Sequence, residues 1–244
     1  MRSIARVCLV AIALALFSIP SSTAVAASWP AGGVRVSLSA QRVAGSDRYG
    51  TAAAIAKDGY PGWSGVQHVI IASGETAALC DVVAAGGLVW AYDAPLLLVR
   101  KTGVPASVAT ALREIRSVNG TLTVTIIGGP SAVSASCADA IEAITGPGSV
   151  VRPFVDGDRY STAAGVATLV QEAATASSRS VPSVALIANG TNESGFFDAL
   201  ALSAVSAKTG APVLFVKNKT VPPATAAQLA TAAPATVIVA GGTT

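Results

Sequence analysis

"DRYGTAAAIA" (Asp47–Ala56) and "DRYSTAAGVA" (Asp158–Ala167) are two writings of one phrase, identical at seven of ten positions, with their opening aspartates 111 residues apart. Agreement of this kind marks an internal repeat. Further blocks follow in the same order: "VIIASG" (Val69–Gly74) answers "ALIANG" (Ala185–Gly190), and "DAPLLLVRKTGVP" (Asp93–Pro105) answers "GAPVLFVKNKTVP" (Gly210–Pro222). "VTIIGG" (Val124–Gly129) answers "VIVAGG" (Val237–Gly242).

The central blocks are short β-branched and aliphatic runs without polar alternation, the pattern of strands buried on both faces of a parallel sheet. Ala-rich stretches such as "CDVVAAGGLVWAY" (Cys80–Tyr92) and "SVATALREIRSV" (Ser107–Val118) lie between them with the length of helices. Strands alternating with helices imply right-handed crossovers and a sheet covered on both sides. The expected fold class is α/β: tandem small parallel-sheet, Rossmann-like modules with the second copy truncated. Each copy reads as a first helix, Asp47–Lys57 in the first, followed by strand, helix, strand, helix, strand. A last helix, Ser131–Ile144, is expected in the first copy only. The runs "VRVSLSAQRVAG" (Val34–Gly45) and "SVVRPFVDG" (Ser149–Gly157) are each expected to add a strand before DRY. The chain divides accordingly into residues 1–27, 28–39, a first repeat over 40–150 and a second over 151–244.

Arg2 and Arg6 precede the apolar run "VCLVAIALALF", Pro20 and the small-residue tract "SSTAVAA". That order describes a secretory signal peptide cleaved after Ala26 or Ala27. The apolar run is too short to span a bilayer, which takes roughly 20 residues; an uncleaved anchor is the alternative. Without this leader the chain keeps 14 basic and 13 acidic residues, a net charge of +1. Global attraction to nucleic acid is therefore not expected, and any anion must be bound locally. Cys8 leaves with the leader, and Cys80 and Cys137 form either a disulfide or two buried thiols.

In an open parallel sheet, ligands bind beyond the carboxyl ends of the strands, where helix N-termini point their unpaired N–H groups. Here that edge holds Ser73-Gly74-Glu75, Arg100-Lys101 and Gly128-Gly129 in the first copy. In the second it holds Asn189-Gly190-Thr191, Lys217-Asn218-Lys219 and Gly241-Gly242. The basic side chains Arg100, Lys101, Lys217 and Lys219 suit an anionic ligand, or they only solvate a face. Asp47 and Asp158 read as helix N-caps and stand with Arg48 and Arg159 among the candidate ligand-binding residues. Arg48 and Arg159 either make structural salt bridges or repeat-to-repeat contacts, or capture ligand. Tyr49 and Tyr160 read as packing residues with a hydrogen-bonded hydroxyl.

Catalysis finds little support. His68 lies five residues from Ser73 on an extended strand, roughly 16 Å away and on the opposite face, so no direct Ser–His pair forms between them. There is no G-x-S-x-G, P-loop or G-x-G-x-x-G, and one His with two scattered Cys is too few for a zinc site. No cofactor and no metal are expected. Asp81 and Asp198 could pair with Glu75 and Glu193 as acid and base, but carboxylates at helix starts are ordinarily caps.

The pattern R-V-A-G-x-D-R-Y-x-T-A (Arg42–Ala52), then A-S-G-E (Ala72–Glu75), an aspartate opening an Ala-rich helix (Asp81), A-P-L-L-L (Ala94–Leu98) and I-I-G-G (Ile126–Gly129) resembles the cell wall binding repeat 2 family of bacterial surface proteins. The resemblance covers about 40 to 244. Thr76-Ala77-Ala78 replaces the asparagine and aromatic usual after G-E, and D-A-L survives at Asp198-Ala199-Leu200 but reads Asp81-Val82-Val83 in the first copy. It implies α/β modules, usually three in tandem about a pseudo-threefold axis, that hold a protein non-covalently to anionic polymers of the Gram-positive wall. It places polymer contacts at Arg48 and Arg159 and the loops near them. The expected function is thus a secreted, non-enzymatic wall-binding module at the cell surface. A secreted receptor for a small anionic sugar-like ligand is the alternative, and a hydrolase with an unrecognised site the third reading. Apolar strand surface around "VIVAGG" is expected to promote self-association or to be covered by a third repeat from another chain.

Overall fold

The computed structural model describes residues 40–154, 157–191 and 193–242, with the side chains of 193–195 left outside the description. The leader, the cleavage site and Val34–Ser39 fall outside these residues.

Two parallel sheets are built from the repeated blocks. In the first module β1 (His68–Ser73), β2 (Leu96–Val99), β3 (Thr123–Ile127) and β4 (Val150–Val151) take the order β2-β1-β3-β4. In the second, β5 (Val184–Asn189), β6 (Val213–Val216) and β7 (Thr236–Val239) take the order β6-β5-β7. Register repeats with the sequence: Ile70 pairs with Leu96 as Leu186 pairs with Val213. The helices are α1 (Arg48–Gly59), α2 (Leu79–Ala84), α3 (Gly86–Tyr92), α4 (Ala106–Asn119), α5 (Ala135–Thr145), α6 (Arg159–Ala176), α7 (Glu193–Thr209) and α8 (Pro223–Ala232). The expected tandem α/β modules are present, with one difference in the segment before the second DRY. Residues 40–45, the described part of the run before the first DRY, carry no strand. The strand before the second DRY, β4, pairs with β3 through Val124–Val150 and Thr125–Val151, so it completes the first module's sheet. The expected division at 150/151 therefore falls inside a strand.

Alternation along β1 feeds two cores. Val69 and Ile71 join α1, α4 and α5 on one face, with Leu112, Ile115, Cys137 and Ile141. Ile70 and Ala72 face α2 and α3 on the other, in a cluster that continues into the second module through Val166, Val170, Leu186 and Phe215. Cys80 belongs to this second cluster and Cys137 to the first, and both are free and buried. The sheet stands between them, so of the two readings left open by the sequence, the structure holds buried thiols and no disulfide.

The modules meet through α2 and α3 of the first and α6 and α7 of the second. Gly86 and Gly87 let these helices close: a Cβ at Gly86 would lie 2.8 Å from the Ser203 carbonyl oxygen, and one at Gly87 would lie 2.9 Å from Val170 Cγ2. Arg179 adds a hydrogen bond to the Trp90 carbonyl and stacks over the Trp90 ring. The last strands differ. β3 is buried beneath α5, whereas its counterpart β7 is exposed throughout, with Val239 67% accessible.

Candidate functional site

The two DRY phrases fold alike because each opens a helix beside the turn that leaves its module's central strand. Asp47 caps α1, its Oδ1 accepting from Gly50 N at 2.7 Å. Asp158 caps α6, its Oδ1 accepting from Tyr160 N and Ser161 N at 3.1 and 2.9 Å. Hydrogen bonds from the Ser161 amide and hydroxyl and the Tyr160 amide hold the Asp158 carboxyl below its ordinary range, against burial, with Lys217 helping. The N-cap reading of both aspartates is what the structure shows.

The arginines turn inward along their own modules. Arg48 Nη1 donates to the Gly74 carbonyl at 2.6 Å, and Arg159 Nη1 to the Gly190 carbonyl at 2.7 Å. Each of these glycines follows its central strand, β1 or β5. Both glycines are crowded: a Cβ on Gly74 would sit 2.7 Å from Tyr49 Cε1, and one on Gly190 would sit 2.9 Å from Phe215 Cβ and 3.2 Å from Tyr160 Cε1. Both tyrosines are buried, and the Tyr49 hydroxyl donates to Glu75 Oε1 at 3.2 Å. DRY and the strand-end glycine thus interlock as one unit.

A basic side chain from the next strand end lies over each tyrosine. Arg100, which follows β2, places its guanidinium carbon 5.1 Å from the Tyr49 ring centre, and Lys217, which follows β6, places Nζ 5.4 Å from that of Tyr160. Arg100 also stands 3.9 Å from Asp47 Oδ2; this pair is open to solvent and contributes little to stability. Lys101, Lys217 and Lys219 are exposed. The structure therefore brings Asp47, Arg48, Tyr49, Glu75 and Arg100 together at one strand edge and Asp158, Arg159, Tyr160 and Lys217 at the other. The edges display positive charge whose aromatic backing is repeated.

Asp81 plays a part that the sequence reading did not assign. It is only 9% accessible, its Oδ2 lies where a Gly128 Cβ would come within 2.6 Å, and burial pushes its pKa up to about 6 while the Arg159 charge pulls against that rise. The Arg159 charge thus acts across the module boundary on Asp81 and Cys80 of the first module. The signal was present in the recurrence of an aspartate at Asp198, but the partner could not be named from one chain position.

The Ser–His pairing does not assemble. His68 and Ser73 sit at opposite ends of β1, and the His68 ring stacks on Tyr92 at 4.7 Å. Burial lowers the His68 pKa. Glu75 is engaged by Tyr49, and the side chain of Glu193 lies outside the description. Among the described residues, no group of three His, Cys, Asp or Glu side chains could hold a metal ion, and no helix is long and apolar enough to cross a membrane.

Relatives agree with this architecture. The chain is 33% identical over 205 residues to the N-acetylmuramoyl-L-alanine amidase LytC of Bacillus subtilis (strain 168), an alignment covering 84% of this chain and 36% of that protein. Cwp6 from Clostridium difficile superposes with a TM-score of 0.66 at 26% identity, over 86% of this chain and 31% of that one. Cwp8 from the same organism has the same fold, with a TM-score of 0.66 at 22% identity over 82% of this chain and 30% of its own. The chain thus spans about a third of each relative's length. The profile of Cell wall binding domain 2 (CWB2) matches residues 42–138 and 157–244, one stretch for each module. The chain belongs to the cell wall binding domain 2 family.

Proposed function

We propose that this chain is a secreted, non-catalytic module that holds to an anionic polymer of the bacterial cell wall through the strand ends of both repeats. The carrying observation is the duplicated stack of a basic side chain on the DRY tyrosine, Arg100 on Tyr49 and Lys217 on Tyr160. Lys101 and Lys219 lie in the same two loops and extend the positive edge. A net charge of +1 without the leader offers no general attraction, so retention depends on these places. Two equivalent edges on one chain contact successive polymer units and gain from effective concentration. Arg48 and Arg159 are exposed and add positive charge, while one N–H of each fixes the turn behind the edge. Besides the wall polymer, the partners in this reading include further modules of the same kind.

The test is sedimentation with purified Gram-positive wall before and after its anionic polymers are stripped. Retention on intact wall, loss on stripped wall and release by salt are expected. Replacing Arg100, Lys101, Lys217 and Lys219 together by Gln should leave melting almost unchanged, because solvated surface substitutions each cost within about 0.5 kcal/mol. Retention should fall severalfold and lose its salt sensitivity. A folded quadruple variant that binds as tightly as the parent overturns the proposal, and so does equal binding to stripped wall.

A further inference from the structure

The two strand edges are built alike in backbone and differ in the side chain beside the tyrosine. In each, the glycine after the central strand donates its amide to the neighbouring strand, Gly74 N to the Val99 carbonyl and Gly190 N to the Val216 carbonyl, both at 2.9 Å. In each, the residue after that glycine bonds back two positions: Glu75 N donates to Ser73 Oγ at 3.2 Å, and Thr191 N to Asn189 Oδ1 at 2.8 Å. Glu75 and Thr191 therefore occupy one place in the two modules, and both are exposed. The first edge carries a carboxylate there and the second a neutral hydroxyl.

That exchange changes the group around the tyrosine. Glu75 Oε1 accepts from the Tyr49 hydroxyl at 3.2 Å, and Arg100 lies over the same ring. Burial raises the Tyr49 pKa, and Glu75 raises it further by charge and hydrogen bond, against Arg100 and Arg48. Charges of both signs thus act on one hydroxyl at an open strand edge. At the second edge, the Tyr160 hydroxyl has no hydrogen-bond partner among the described residues. The capping aspartates Asp47 and Asp158 are common to both edges, so Glu75 is the difference. A bare anion at the second edge meets Lys217 and a free hydroxyl. The same anion at the first meets Arg100 with the Glu75 carboxylate beside it, and that like charge opposes it.

We infer that Glu75 is a specificity-determining residue: the first edge takes polymer units in which an ammonium stands beside the anionic group, and the second edge takes the bare anion. The anionic group lies against Arg100 and Lys101, and the ammonium lies against the Glu75 carboxylate, of which Tyr49 uses only Oε1. The inference rests on the reading of these edges as polymer-binding sites and adds the class of unit that each accepts. Two unlike edges on one chain favour a polymer in which both kinds of unit occur, because each engaged edge raises the effective concentration at the other.

The experiment measures binding of the purified chain to end-labelled poly(glycerol phosphate) by fluorescence anisotropy. The polymer is either bare or esterified with alanine, so that ammonium groups stand along it. Esterification lowers its net negative charge, so general electrostatics favours the bare form and cannot produce a preference for the ester. Glu75→Gln keeps an acceptor for the Tyr49 hydroxyl and removes the charge; melting curves verify that every variant is folded. With the second edge weakened by Lys217→Gln and Lys219→Gln, the chain that keeps Glu75 should prefer the esterified polymer by about two- to fivefold, the range of one exposed ion pair. Adding Glu75→Gln should abolish the preference, with tighter binding of the bare polymer and weaker binding of the ester. With the first edge weakened by Arg100→Gln and Lys101→Gln, Thr191→Glu should confer the preference on the second edge. A preference that is absent where Glu75 is kept, that survives Glu75→Gln, or that Thr191→Glu does not confer overturns the inference and leaves polymer binding standing. A parent that binds neither polymer overturns the inference together with the reading of function on which it rests.

Discussion

The substitution Asp81→Asn tests the module boundary most directly. Asp81 is buried against Gly128, and its pKa rises from 3.8 to about 6 because burial disfavours the carboxylate more than Arg159 favours it. A carboxyl with a raised folded-state pKa binds its proton more tightly folded than unfolded. Its unfavourable contribution is therefore absent below about pH 4, grows as pH rises toward 6 and is constant above that. A shift of this size corresponds to about 3 kcal/mol, or roughly 6–12 °C in melting temperature for a chain of this length. Asn keeps the shape and has no charge to desolvate. The stability of Asp81→Asn relative to the parent should thus climb by on the order of 3 kcal/mol between pH 4 and pH 7, read by urea unfolding at each pH. Asp158, whose pKa is held down, loses its contribution only as pH falls below its unfolded value of 3.8, and it does so in both proteins, so it cancels in the difference. Parallel profiles for parent and variant from pH 4 to 7 would refute the dry placement of Asp81 between the modules.

Other outcomes follow from the same contacts. Gly74→Ala drives a Cβ to 2.7 Å from the buried Tyr49 ring and should cost about 1–3 kcal/mol, as overpacking does, seen as a lower urea midpoint with unchanged slope. Arg48→Gln with Arg159→Gln removes a charged donor from two carbonyls and should cost about 1.5–3 kcal/mol per site at most; an unchanged melting temperature would show that the arginines do not hold the turns. Cys80 and Cys137 should react with a thiol reagent only after denaturation, and without reductant, because both are free and buried. Loss of both reactive thiols in denatured, unreduced protein would contradict their separation by the sheet.

Much of this molecule was legible in local pattern. The duplicated blocks fixed two modules, their aliphatic runs became β1, β2, β3, β5, β6 and β7, and Asp47 and Asp158 cap helices as Asp does wherever the next amides lack partners. The candidate edge was also legible, because Arg100 and Lys217 follow strands whose ends must converge in a parallel sheet. Those features depend on neighbours a few residues away, which is the range over which periodicity, capping and turn chemistry act. Tertiary structure alone decided the rest. Cys80 and Cys137 are parted because α2 and α5 cover opposite faces of one sheet, and β4 completes a sheet that precedes its own DRY. Arg48 and Arg159 carry the same sequence neighbours, yet the Arg159 charge acts on Asp81 of the other module, because that module's α2 lies against α6. A repeat writes the same residues twice, and the packing of layers decides which copy is buried.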